Sequence, residues 1–170
     1  NLKLHMNKFE QLGLNESLLL AIKDLGFESP SEVQEKAIPL LLEKDTDIVA
    51  LAQTGTGKTA AFGFPVIQKI DAENRDTQAL ILSPTRELCL QITNEIKLYS
   101  KYVKGLNTVA VYGGASITEQ AKDIRRGAQI IVATPGRMQD MINRGMVNIK
   151  NINYCILDEA DEMLNMGFYE

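Results

Sequence analysis

Apolar positions along this chain fall into two alternating kinds of run. Short stretches rich in β-branched residues recur at Asp47–Ala52 (DIVALA), Gln78–Ser83 (QALILS), Asn107–Tyr112 (NTVAVY), Gln129–Thr134 (QIIVAT) and Asn153–Asp158 (NYCILD). Each is strand-sized and reads apolar nearly throughout, the pattern of a strand covered on both faces. Between them lie helix-length segments whose apolar residues sit three and four apart. One is Leu88, Ile92, Ile96 and Tyr99, where Glu95 breaks the stripe only at its margin. Such alternation predicts an α/β domain: a mostly parallel sheet with helices on both faces.

Two helices are expected ahead of the first strand. Asn15 can cap one that stops at Gly26. Ser31, with Gln34 three residues on, makes a capping box for the next, and Pro39 inside that segment should kink or shorten it. In a parallel α/β sheet, ligands gather at the carboxyl ends of the strands. The residues predicted there are QTGTGKT, PTRE, GG, TPGR and DEAD, and all five should line one rim.

Length and composition narrow the picture without changing it. At 170 residues, 45% hydrophobic and 24% charged, the chain suits one ordinary globular domain. No apolar run is long enough to span a bilayer and no cleavable leader opens the sequence, so the expected location is cytoplasmic. Cys89 and Cys155 lack C-x-x-C partners and are expected as reduced thiols; His5, in a lead-in over residues 1–8, carries no assigned role. The formal net charge of −4 argues against holding nucleic acid by bulk attraction. A local phosphate-binding edge of backbone N–H groups is not excluded, because net charge does not register it. Arg125, Arg126 and the lysines between Lys97 and Lys104 read as solvated helix faces.

The segment ALAQTGTGKTAAFGFP follows the first strand and opens a helix. Gly55 and Gly57 permit a tight loop whose N–H groups cradle phosphate oxygens. Lys58 can reach the β- and γ-phosphates and Thr59 can place a hydroxyl on Mg²⁺. The general pattern G-x-x-x-x-G-K-[ST] is departed from at Ala52, so the bend falls to Gly55 and Gly57. At the end of the last apolar run, Asp158 can hold the metal shell through water, and Glu159 beside it can orient and deprotonate an attacking water.

Together these residues resemble the DEAD-box RNA helicases. Ala52-Gln53-Thr54-Gly55-Thr56-Gly57-Lys58-Thr59 is similar to the first motif of that family, in which Ala at the first position is usual, and Asp158-Glu159-Ala160-Asp161 matches its name. GFESPSEVQ (Gly26 to Gln34) looks like the family's Q motif, with Phe9 as the isolated upstream aromatic. PTREL (Pro84 to Leu88), Gly113-Gly114 and TPGR (Thr134, Pro135, Gly136, Arg137) follow in family order. The resemblance implies a RecA-like P-loop domain over residues 9–170 that binds ATP and Mg²⁺.

It further implies that Gln34 reads the adenine edge, that Phe27 packs on the adenine face with Phe9 close by, and that Thr59 and Asp158 serve the metal. Gln34 keeps a second reading on local pattern, the capping box with Ser31. For RNA, Thr85 and Thr134 stand where helices begin, so their hydroxyls and the following N–H groups can hold phosphates. Pro84 and Pro135 flank them, and Gly113, Gly114 and Gly136 expose backbone. Arg86 and Arg137 supply charge, though Arg86 can equally brace the motif internally. None of these groups reads base edges, so binding should be independent of sequence, with contacts to 2′-hydroxyls favouring RNA.

The implied function is the ATP-binding half of an ATP-dependent RNA helicase; the alternatives are a nucleotide- or RNA-binding module without turnover, or another P-loop ATPase. The family's second RecA-like domain is not in this sequence, nor is the Ser-Ala-Thr motif expected after the DEAD stretch. The strand leading to that motif should lie between the phosphate-loop strand and the Asp158 strand. Its absence predicts a gap filled by a rearranged strand, a neighbouring chain or a closed-up sheet.

Overall fold

The computed structural model describes residues 8–43, 48–52 and 57–159, with residues 48–52 described by their backbone alone. After a helical turn over residues 8–11, the order is α1 (Glu16–Leu25), α2 (Glu32–Glu43), β1 (Ile48–Ala52), α3 (Lys58–Lys69), β2 (Ala79–Leu82) and α4 (Arg86–Tyr99). There follow β3 (Thr108–Val111), α5 (Ile117–Arg125), β4 (Ile130–Ala133), α6 (Pro135–Asn143) and β5 (Tyr154–Asp158). Each of the five apolar runs forms a strand.

The strands make one parallel sheet in the order β1-β5-β2-β4-β3. Because side chains alternate across a strand, each inner strand feeds two cores. Ala79, Ile81, Ile130, Val132 and Ile156 pack with α1, α2, α3 and α4 on one face. Leu80, Leu82, Ile131 and Ala133 pack with Ala121 of α5 and with Met138 and Met141 of α6 on the other. Burying each large aliphatic side chain contributes about 1.5–3 kcal/mol, which explains why the strands carry so few polar residues.

Two expectations are corrected. No strand separates β1 from β5: they pair directly, Ile48 opposite Tyr154 and Ala52 opposite Asp158. Of the three ways to fill the gap, the closed-up sheet is the one found, and it pairs the rows of N–H and C=O groups that an open gap would leave unmet. Nor does Pro39 shorten its helix, for α2 continues to Glu43. Fully buried Ile38 beside it holds the segment in the core, an example of packing overriding propensity.

Caps act where the sequence places them. The Asn15 side chain accepts from Leu18 N at 3.2 Å, and the Ser31 hydroxyl accepts from Gln34 N at 3.3 Å. At the amino ends of the strands, two glutamines tie down loops. The Gln78 amide donates to the carbonyls of Asp71 and Asn74 at 2.9 and 3.1 Å and accepts from Asp71 N at 2.9 Å. Gln129 donates to Ala72 O and Gly105 O at 3.1 and 2.8 Å and accepts from Asn107 N at 2.8 Å.

Candidate functional site

Parallel pairing puts every strand's carboxyl end on one rim, and the register says which residues meet there. Ala52, the last residue of β1, lies opposite Asp158, the last residue of β5. One step beyond the Leu82–Leu157 pair, Ser83 comes alongside Asp158 on its other flank. Asp158 is only 2% exposed and Ser83 is fully buried. The Ser83 hydroxyl has no hydrogen-bond partner among the described residues. Glu159, next along, adopts φ +53°. That left-handed backbone is uncommon for a residue with a side chain and turns the chain sharply as it leaves the strand.

Gly57, Lys58 and Thr59 reach the same rim by way of α3. Gly57 is the N-cap at φ +82°. A Cβ on it would come within 2.9 Å of Gln34 Nε2 and 3.1 Å of Ser31 Oγ, so glycine is required by conformation and by space alike. Lys58 opens the helix half-buried, and Thr59 behind it is buried. The four N–H groups of this helix end have no intrahelical acceptors, and the helix dipole adds partial positive charge there. Gln53, Thr54, Gly55 and Thr56 lie outside the described residues, as do Asp161 and Glu162 of the acidic cluster.

Gln34 joins two elements. Its Oε1 accepts from Ser31 N at 3.0 Å, completing the capping box, while its Nε2 donates to Gly57 O at 3.1 Å. The capping role read from local pattern is therefore present, and the same amide also holds the N-cap of α3. Phe27 is 37% exposed and meets Phe64 and Tyr99 edge-on, with ring centroids 6.4 Å from each, so one side of the ring is open. Phe9 differs: at 0% exposure it belongs to the core under α1 and α2, and it serves packing rather than a surface a nucleotide can reach.

The second group gathers further along the rim. Thr85 caps α4, its hydroxyl accepting from Leu88 N at 3.2 Å, which leaves its own O–H able to donate. Thr134 is the N-cap of α6 with no side-chain cap bond, followed by Pro135 at the first helical position. Pro84 and Pro135 are buried, whereas Gly113, Gly114 and Gly136 are exposed. Gly114 has φ +83°, and a Cβ there would lie 3.4 Å from Arg86 Nη1.

Both arginines brace this region. The Arg86 guanidinium lies 4.9 Å from the centre of the Tyr112 ring. Arg137 Nη1 donates to Ala115 O and to Gln120 Oε1, each at 3.0 Å. Tyr112 and Gln120 were not singled out from the sequence. The available signal was Gln120 next to Ala121 on the buried side of an otherwise polar helix, where an amide needs partners. Arg125 and Arg126 are exposed, as expected, and Arg126 makes a surface ion pair with Asp123 at 3.7 Å.

Comparison with known proteins decides what this rim belongs to. A family model described as DEAD/DEAH box helicase matches residues 31–170. The chain belongs to the DEAD/DEAH box helicase family. Among curated members, an ATP-dependent RNA helicase CshA from Limosilactobacillus reuteri is 52% identical over 163 residues, covering 96% of this chain and 32% of the relative. An ATP-dependent RNA helicase DeaD from Escherichia coli K12 is 46% identical over 162 residues, covering 95% of this chain and 26% of the relative.

The solved structure of a DEAD box protein from the hyperthermophile Methanococcus jannaschii superposes with a TM-score of 0.86 at 48% identity, over 95% of this chain and 44% of that one. Saccharomyces cerevisiae Dbp5, in a structure bound to RNA and ADP BeF3, matches with a TM-score of 0.79 at 33% identity, over 93% of this chain and 39% of that one. The chain thus spans between about a quarter and a third of the length of the curated relatives it matches.

Proposed function

We propose that this chain is the nucleotide-binding half of a cytoplasmic ATP-dependent RNA helicase. The observation that carries the reading is the Ala52–Asp158 pairing, which sets a buried carboxylate beside the end of the strand that feeds Gly57, Lys58 and Thr59. Mg²⁺ bound with a nucleotide takes one or two carboxylates plus phosphate oxygens and keeps several waters. The donor set fits that demand: Asp158, the Thr59 hydroxyl, and alongside Asp158 the Ser83 hydroxyl, which has no partner among the described residues and is suited to a hydrated ion. When bound, the ion neutralises charge on the phosphates.

In this reading Lys58 binds the terminal phosphates and the α3 N-terminus receives them on backbone N–H groups. Glu159 orients the attacking water and takes its proton. Phe27 offers an open ring to the adenine, and Gln34 reads its edge by releasing the Gly57 contact. RNA phosphates lie along Thr85, Gly113–Gly114 and Thr134–Gly136, held by backbone and hydroxyl groups without reading bases. Two free cysteines support a reducing compartment, and among the described residues no helix is long and apolar enough to cross a membrane.

Arginines supplied by a partner domain are worth about 10³–10⁵ in rate in related NTPases, so this chain alone should turn over ATP barely. The test is RNA-stimulated ATPase on the longer protein and on this chain. Stimulation in the longer protein, lost in Glu159→Gln, supports the reading. A longer protein whose turnover ignores RNA removes it.

A further inference from the structure

We infer that Gln120 is a positioning residue for RNA binding: its carboxamide sets the shape of the Gly113–Gly114 turn and the direction of Arg137. The inference rests on the RNA-binding reading above and adds to it a residue that touches no ligand.

The argument starts from the sheet edge. Among the described residues, β3 has one neighbouring strand, β4. In a parallel pair, alternate residues turn their backbone groups toward the neighbour. Asn107 O and Val111 O accept from Ile130 N and Thr134 N, so the odd-numbered residues face β4. Tyr112, one past the strand, therefore turns its N–H and C=O outward, where no strand lies among the described residues.

Gln120 meets both. Its Oε1 accepts from Tyr112 N at 3.3 Å and its Nε2 donates to Tyr112 O at 3.1 Å. A carboxamide carries a donor and an acceptor side by side, so it can stand in for the backbone of a missing strand. At 7% exposure the amide is largely shielded from competing water.

The same oxygen takes a second bond, the side chain's third, from Arg137 Nη1 at 3.0 Å, and that nitrogen also donates to Ala115 O at 3.0 Å. Tyr112 before the glycine pair and Ala115 after it are thereby fastened to one cluster. Gly113 and Gly114 between them are exposed, and a Cβ on Gly113 would meet nothing within 4 Å. A turn held at both ends presents its N–H groups in a fixed direction, which binding would otherwise have to impose at an entropic cost. Gln120 thus acts on affinity for phosphate and leaves the chemistry at Asp158 alone.

The experiment uses the longer protein with single-stranded oligouridylate as the RNA. Gln120→Met keeps the side chain's bulk and removes all three bonds. The RNA concentration giving half-maximal ATPase should rise about tenfold, as expected for losing hydrogen bonds that hold a buried cluster. The rate at saturating RNA and the KM for ATP should stay within about twofold, because neither reads the turn's geometry. The log–log salt dependence of RNA binding should also become shallower by about one contact.

Gln120→Glu retains the shape and the acceptor for Arg137, loses the donation to Tyr112 O and sets a carboxylate oxygen toward that carbonyl. It should raise half-saturation about threefold, and it serves if the Met variant fails to fold. Half-saturation unchanged in a folded variant, with the wild type stimulated by RNA, overturns the role of Gln120 alone. So does a variant whose loss lies wholly in maximal rate or in ATP binding. A wild type without RNA stimulation overturns the helicase reading and this inference with it.

Discussion

Replacing Gln34 separates the work its two amide atoms do. In Gln34→Ala the bond from Ser31 N is lost, and so is the donation to Gly57 O. The Ser31 hydroxyl keeps its bond from the backbone N–H of residue 34, so half of the capping box survives. Each neutral bond contributes about 1 kcal/mol net, and the site is 5% exposed, so water cannot readily replace the partners. The variant should lose about 2 kcal/mol, a fall in urea midpoint of about 1 M. Gln34→Glu keeps the acceptor for Ser31 N but sets a carboxylate oxygen toward Gly57 O. It should therefore lose only the Gly57 share, about 1 kcal/mol or somewhat more for the repulsion. Equilibrium urea unfolding of this chain, followed by far-UV circular dichroism, gives both numbers. In the longer protein the preference for ATP over GTP should fall in both variants, since each lacks the donor. An alanine variant within about 0.5 kcal/mol of wild type would refute the energetic reasoning. Equal losses in Ala and Glu would refute the division between the two atoms.

Three further outcomes are expected. Gly57→Ala forces a Cβ to 2.9 Å from Gln34 Nε2 at φ +82°, and it should weaken binding of a fluorescent ATP analogue at least tenfold, with the Gln34→Ala double variant recovering only part of the loss. Thr85→Ala removes the α4 cap and should cost about 1 kcal/mol in urea unfolding, the usual cost of losing a side-chain cap. Burial raises the Cys89 thiol from 9.0 to about 11, so the unfolded chain loses this proton first as pH rises. Stability owed to Cys89 is then full below about pH 9 and falls progressively to about pH 11, by some 2–3 kcal/mol. Comparing urea midpoints from pH 8.5 to 10.5 in wild type and Cys89→Ala isolates that slope, and identical slopes would contradict it.

β2 and β4 were the most legible strands because each is buried on both faces, so burial demands an unbroken apolar run such as ALIL or IIVA. Asn15 and Ser31 were legible because a cap acts within three residues of itself. What stayed hidden depends on partners far along the chain. The β1–β5 adjacency is a matter of sheet order, which no local pattern encodes. Phe9 looks the same in sequence whether its ring stacks on a ligand or sinks into a core. At the site, motif residues announced themselves by type and spacing. The neighbours that hold them did not, for Gln120 and Tyr112 are ordinary residues until the fold brings them to Arg137.

Gln78 and Gln129 clamp the sheet along one margin, at the amino ends of β2 and β4, with amides that each hold several loop backbone groups. A plate clamped on one side transmits any bending to the other. Amide protons near these two residues should exchange with solvent only in rare, cooperative openings. Exchange along the opposite margin should instead quicken or slow according to what is bound there. The amino margin is then a fixed reference against which any rearrangement at the carboxyl rim, where a nucleotide and an RNA would arrive, can be read.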